Sequence, residues 1–72
     1  MDLNALIDSH PGVRRGKPRF VDTRITVYDV LEYLAGGMSA DEIITEFPEL
    51  TTDHVHAALE FAALREPRLE AE

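Results

Sequence analysis

Five of the seven basic residues, Arg14, Arg15, Lys17, Arg19 and Arg24, fall within eleven positions, and a single acid, Asp22, lies among them. Guanidinium and ammonium groups at that density hold anions: arginine through paired N–H donors, lysine as a point charge. The remainder of the chain is acidic. Residues 1–24 carry five basic and three acidic residues, residues 25–72 carry two and eleven, and the formal net charge is −7. The cluster therefore serves a polyanion, an acidic partner, or the protein's own acids. Arg24 is the first candidate for internal pairing with the helices. For the cluster as a whole, an anion outside the chain is the expected target. If two copies presented all ten cations to DNA, log K against log salt would fall with a slope of about −9.

Other chemistries find less support. There is no cysteine. Ser9, His10 and Ser39 sit in turn or helix-cap contexts rather than beside an activating base. His54 and His56 lie two apart and diverge by about 200° on a helix, whereas zinc pairs use i, i+4 spacing or convergent loops. Glu42 and Glu46 share a helix face, which reads as a solvated acidic surface. No enzyme, metal site or cofactor is expected.

The elements that must position the cluster follow from punctuation and periodicity. Residues 3–9 read as a short helical turn or an extended arm. Phe20-Val21 and Ile25-Thr26-Val27 are β-branched and aromatic and flank Asp22-Thr23, so they predict a small hairpin beginning near Pro18. Thr26 is a helix N-cap with Asp29 three residues on, and Val27, Val30, Leu31 and Leu34 form one apolar stripe ended by Gly36-Gly37. Ser39-Ala40-Asp41-Glu42 has capping-box form, Ile43, Ile44 and Phe47 supply the second helix's apolar face, and Pro48 stops it. The third helix opens at Thr51 or Thr52 and runs to about Glu66, ahead of Pro67. It carries two stripes: Val55, Ala58, Leu59 and Ala62, then Ala57, Phe61 and Leu64. The expected fold is mainly α: a short N-terminal β-hairpin or strands, then a three-helix, homeodomain-like helix-turn-helix unit. Residues 1–15 form an arm, 16–66 the domain, and 67–72 a frayed tail.

In a helix-turn-helix the start of the second helix enters the major groove. Here that start offers Thr51, Thr52, His54 and His56. Residues 38–66 carry seven acids against one base, Arg65. Phosphate contacts must then come from the basic cluster. A 72-residue chain buries only about 60% of the surface its unfolded form exposes, so association is expected, as a homodimer or with a permanent partner. The surplus apolar surface predicts that Phe61 and Leu64 meet a second chain, with Phe20 and Val21 of the β element beside them. The N-terminus lacks the basic and apolar regions of a signal peptide, and no apolar run nears the roughly 20 residues of a membrane helix. A cytoplasmic protein is expected.

One set of residues carries more. Pro11-Gly12, GKP, TRI-x-V, VLEYLAGGMSADEI, FPELT and V-x-AALEFAA, in that order, resemble the domain-of-unknown-function 433 family over residues 7 to 63. The family comprises small bacterial and archaeal proteins, often regarded as VapB-type antitoxins with a homeodomain-like fold. Its members are commonly encoded beside a small PIN-like nuclease. The resemblance implies an antitoxin that neutralises such a toxin and also represses its operon by binding operator DNA. The alternative is a DNA-binding regulator without a toxin partner. The chain departs from the family pattern at Asp22, where glycine is usual, and at His54, where an acid is frequent. At the positive end of a helix, a histidine in that place is expected to weaken capping slightly.

Overall fold

The computed structural model describes residues 2–65. The expected tail, 67–72, lies outside them. Among the described residues there are four α-helices and one two-stranded antiparallel sheet: α1 (Leu3–Leu6), β1 (Ile7–Asp8), β2 (Arg19–Phe20), α2 (Val27–Ala35), α3 (Ala40–Glu46) and α4 (Thr52–Arg65), with a one-turn helix at Arg14–Gly16. None of these helices is long and apolar enough to cross a membrane.

The helix ends form as their residues dictate. Thr26 and Asp29 make a reciprocal capping box at α2: the Asp29 N–H donates to Thr26 Oγ1 (2.9 Å) and the Thr26 N–H to Asp29 Oδ2 (3.0 Å). Ser39 and Glu42 do the same at α3, at 3.1 and 2.8 Å. Each satisfies N–H groups that a helix start leaves unpaired. At the end of α2 the Met38 N–H reaches the Tyr33 carbonyl and the Gly37 N–H the Leu34 carbonyl. That closure needs a left-handed residue, and Gly37 supplies it at φ +106°.

The expected hairpin is displaced. Phe20 and Thr23 do close a turn, with the Thr23 N–H on the Phe20 carbonyl and Asp22 at φ +66°. This third turn position favours glycine, and aspartate is one of the few other residues that tolerate it. Beyond the turn, only Arg19 and Thr26 bridge, because Val27 already belongs to α2. The strand that pairs with β2 comes instead from the N-terminus, in the register Ile7–Phe20 and Asp8–Arg19. Residues 3–9 are thus both a helical turn and an extended strand. Far from being a separate arm, α1 packs on α4.

The core is built from Phe20, Val27, Val30, Ile43, Leu50, Val55, Ala57, Ala58 and Phe61. Here the structure corrects the assignment of α4. Its buried residues are Val55, Ala57, Ala58 and Phe61, two of the four residues of the first predicted stripe and two of the three of the second. At about 100° per residue these four surround a single direction, close to that of His54. Leu59 lies about 140° away and is 49% exposed, and Leu64, about 80° away at the margin, is 62% exposed. Phe20 and Phe61 lie inside this chain's own core, so they are not free to bury themselves in a second chain. Val21 is half-buried beside them.

This inward turn of α4 sets a measurable contrast. Phe61→Ala should cost about 3–5 kcal/mol, much of the total stability of a small domain. Leu59→Ala should change it by no more than about 0.5 kcal/mol. Urea denaturation of both variants checks the assignment.

Candidate functional site

The basic cluster is divided by two ion pairs. Arg19 lies opposite Asp8 in the sheet register, and its Nε donates to Asp8 Oδ1 at 2.9 Å while Nη1 reaches the Thr23 carbonyl at 2.9 Å. Arg14 forks onto Asp29: Nη1 to Oδ2 at 2.7 Å and Nη2 to Oδ1 at 3.4 Å, with Nη1 also on the Arg24 carbonyl at 2.9 Å. Arg24, expected to be the first to pair internally, forms no ion pair among the described residues. It supplies its carbonyl instead. The register delivers Asp8 to Arg19, and the capping carboxylate of α2 stands beside the Arg14 turn.

That turn is unusual. Arg14, Arg15 and Gly16 have φ of +50°, +61° and +78° in succession. Left-handed backbone costs a non-glycine residue roughly 1–2 kcal/mol, so two such residues in succession, Arg14 and Arg15, must be held by their surroundings. The hold comes from the Arg14–Asp29 fork, from the Gly16 N–H on Val13, and from the Lys17 N–H on Arg14. Arg15, Lys17 and Arg24 are left exposed. Together with Arg14 they line a concavity of about 430 Å³ that no acid enters. On the other side of Arg14 and Arg24 lies a mixed hollow of about 610 Å³, lined also by Arg19, Asp22, Asp29, Tyr33 and Glu49.

The residues expected to open a recognition helix are differently employed. Thr51, Thr52 and His56 are exposed, but His54 is turned inward. Its Nδ1 accepts the Thr51 N–H at 2.9 Å, and its ring stands edge-on to Phe20 with centroids 5.0 Å apart. His54 therefore takes the place of the acid in a capping box, with a ring nitrogen as the acceptor in place of a carboxylate oxygen. The expected weakening of the cap is corrected by this bond. His54 and His56 do diverge, and no group of three metal-ligating side chains converges among the described residues.

A third feature was legible only in part. Phe61, Leu64 and Arg65 of α4 meet Leu3, Asn4, Ile7, Asp8, Ser9 and Pro18 around a concavity of about 350 Å³. The Arg65 guanidinium lies 4.1 Å from the centre of the Phe61 ring, a cation–π contact at the margin of the core. The surplus of apolar residues on α4 pointed to it. The N-terminal wall did not show, because its residues reach α4 only through tertiary packing of α1 and the sheet.

Asp29 gives the site a pH signature. Burial raises its pKa, but the Arg14 guanidinium and the Thr26 hydrogen bonds outweigh burial and hold it below the usual carboxylate value. A carboxyl depressed in the folded state stabilises above its unfolded pKa, and that contribution is lost as pH falls through the folded value. Asp29→Asn should cost about 1 kcal/mol or more near neutrality. The gap from wild type should narrow below about pH 4, as read by denaturation at a series of pH values. A constant gap down to that pH would show that charge plays no part.

The comparisons with known proteins agree with this architecture. A family model described as "Protein of unknown function (DUF433)" matches residues 7–62. Among solved structures the chain is similar to a DUF433 member protein from Anabaena variabilis ATCC 29413. The TM-score is 0.79 at 30% identity, over 92% of this chain and 64% of that one. The chain thus spans less than two thirds of that relative's length. No curated protein matches it. The order of the motifs, the match over most of the chain and the shared fold lead to one conclusion: the chain belongs to the DUF433 family.

Proposed function

We propose that the chain is the non-enzymatic antitoxin of a type II toxin–antitoxin pair. In this proposal it acts in the cytoplasm as a homodimer that binds and neutralises a PIN-like nuclease. The observation that supports this most is the concavity at Phe61, Leu64 and Arg65. It offers the exposed Leu64 and an arginine rim at the margin of the core. Burying the exposed Leu64 against a partner gains apolar contact, and Arg65 is placed to meet a partner carboxylate. Nuclease sites of the PIN type are rich in carboxylates, which suits that rim.

In the same proposal α3 and α4, joined through the bend at 47–51, are the VapB-like, homeodomain-like helix-turn-helix part, and operon autorepression is its added role. A DNA-binding regulator without a toxin is the second reading, favoured by the free cations Arg15, Lys17 and Arg24. The start of α4 supports it less. Thr51 and His54 are tied to each other there, and Glu49 and Asp53 stand on either side.

The test is co-expression with the product of the neighbouring gene, with a tag on that product alone. This chain should co-purify through a wash at about 0.5 M salt, well above the ~0.1 M at which the Debye length is about 10 Å. Leu64→Glu should weaken retention by about tenfold or more, as truncation of a buried contact residue does, while leaving the fold intact. Phe61 is unsuitable for this purpose because it belongs to the core. Loss of the wild-type chain in that wash would sink the antitoxin reading.

A further inference from the structure

We infer that the concavity lined by Arg14, Arg15, Lys17 and Arg24 is a binding site for a single phosphate monoester. The inference goes beyond the antitoxin reading and does not rest on it, since the two use different faces of different elements.

The first ground is charge. Four cations line the cup and no acid does. Only Arg14 is neutralised, by its fork onto Asp29 at 2.7 and 3.4 Å. Arg15, Lys17 and Arg24 have no carboxylate partner among the described residues. On a chain of net charge −7 acids are plentiful, so three adjoining cations without one are not explained by internal pairing.

The second ground is construction. The cations come from two segments, the left-handed turn at 14–17 and the loop at 22–24. The Arg14 Nη1 bond to the Arg24 carbonyl ties those segments together at 2.9 Å. Arg14 is therefore the brace of the cup, and the other three are its free donors. The strain of two successive arginines at positive φ, Arg14 and Arg15, is sustained at the place where those donors gather.

The third ground is the shape of the anion. A planar carboxylate is satisfied by one arginine fork, as Asp29 is by Arg14. A phosphate monoester carries close to two negative charges and three terminal oxygens, which matches several separate cations, one of them a lysine. A long polyanion fits less well. Immediately past Arg14 and Arg24, the adjoining hollow mixes Asp22, Asp29 and Glu49 with Arg19, so the positive surface of the cup does not continue as a track for a phosphodiester backbone. The geometry thus favours a compact anion over a nucleic-acid track. The ester could belong to a free nucleotide or to the terminus of an oligonucleotide, and the chemistry at the cup is the same.

The experiment is a two-dimensional amide NMR titration of the full chain at low ionic strength and about pH 7.5, where a monoester is largely dianionic (second pKa about 6). The probes are inorganic phosphate, a nucleoside 5′-monophosphate, acetate, and one short single-stranded oligonucleotide with and without a 5′-phosphate. Phosphate should give saturable shifts at Arg15, Gly16, Lys17 and Arg24, well above those from acetate. Single changes Arg15→Ala, Lys17→Ala and Arg24→Ala should each weaken binding by up to about fivefold, the range of an exposed ion pair. The double change R15E/K17E should abolish it with the rest of the spectrum unchanged. Preference for the 5′-phosphorylated oligonucleotide over its hydroxyl twin identifies a nucleic-acid terminus. Binding of the mononucleotide without that preference identifies a small molecule. Shifts absent from the cup, equal for acetate, or undiminished in R15E/K17E would overturn the proposal. Tighter, equal binding of both oligonucleotides would overturn it too, since that is the behaviour of a backbone track.

Discussion

The carboxylate of Asp29 joins the start of α2 to the basic turn at 14–16. It accepts the Thr26 N–H and so starts α2, and it receives both arms of the Arg14 guanidinium. Thr26 itself is the one buried polar residue of the described chain, and the reciprocal bond to Asp29 satisfies its hydroxyl. Without that carboxylate the α2 start loses the reciprocal half of its capping box, the bond from the Thr26 N–H. The left-handed turn at 14–16 loses its ion pair and is left with its backbone bonds and the Arg14 Nη1 bond to the Arg24 carbonyl. A charged acceptor at a helix N-terminus is favourable in its own right. Here the same charge also fixes the basic segment against the helical body.

That arrangement sorts the cations into two kinds. Arg14 and Arg19 are structural, each forked onto an aspartate and each also bonded to a backbone carbonyl. Arg15, Lys17 and Arg24 are held in position by those pairs without being consumed by them. A flexible basic tail would lose side-chain and backbone entropy on meeting an anion. A turn already braced by Asp29 has given up most of the backbone share in folding. The Arg65–Phe61 contact places a different arginine over the core's edge at the opposite end of α4 from His54, so the basic cup and the apolar concavity are separate surfaces.

The N-terminal segment shows how so short a chain obtains a core. Three helices of this length leave one side of α4 open. The turn α1 and strand β1 close it: β1 adds to β2 in register with Phe20, and α1 lies on α4. A two-stranded sheet of this size is marginal by itself. It persists because Phe20 is fully buried among Val55, Ala58 and their neighbours and because Asp8 and Arg19 pair across it. His54 contributes from the helix side by setting its ring edge-on to Phe20.

What was legible in the sequence was local. Thr26 with Asp29, Ser39 with Glu42, and Gly36-Gly37 each act within a few residues, and each cap and stop appears in the structure where its spacing places it. The clustering of cations and the excess of apolar residues on α4 could also be counted in advance. The rest depended on contacts between distant segments. Nothing near Arg24 in the chain reveals that Asp29 would be taken by Arg14 and Asp8 by Arg19, because those pairs follow from strand register and from the path of the 14–16 turn. Two overlapping stripes on α4 do not say which half faces inward. Phe20 and the N-terminal segment decided that, drawing in Ala57, Ala58 and Phe61 and leaving Leu59 and Leu64 outside. Backbone caps are short-range and residue-specific, so sequence determines them. The use of a charge or the direction of a helix face is a competition among all the partners that folding brings near, and only the tertiary structure decides it.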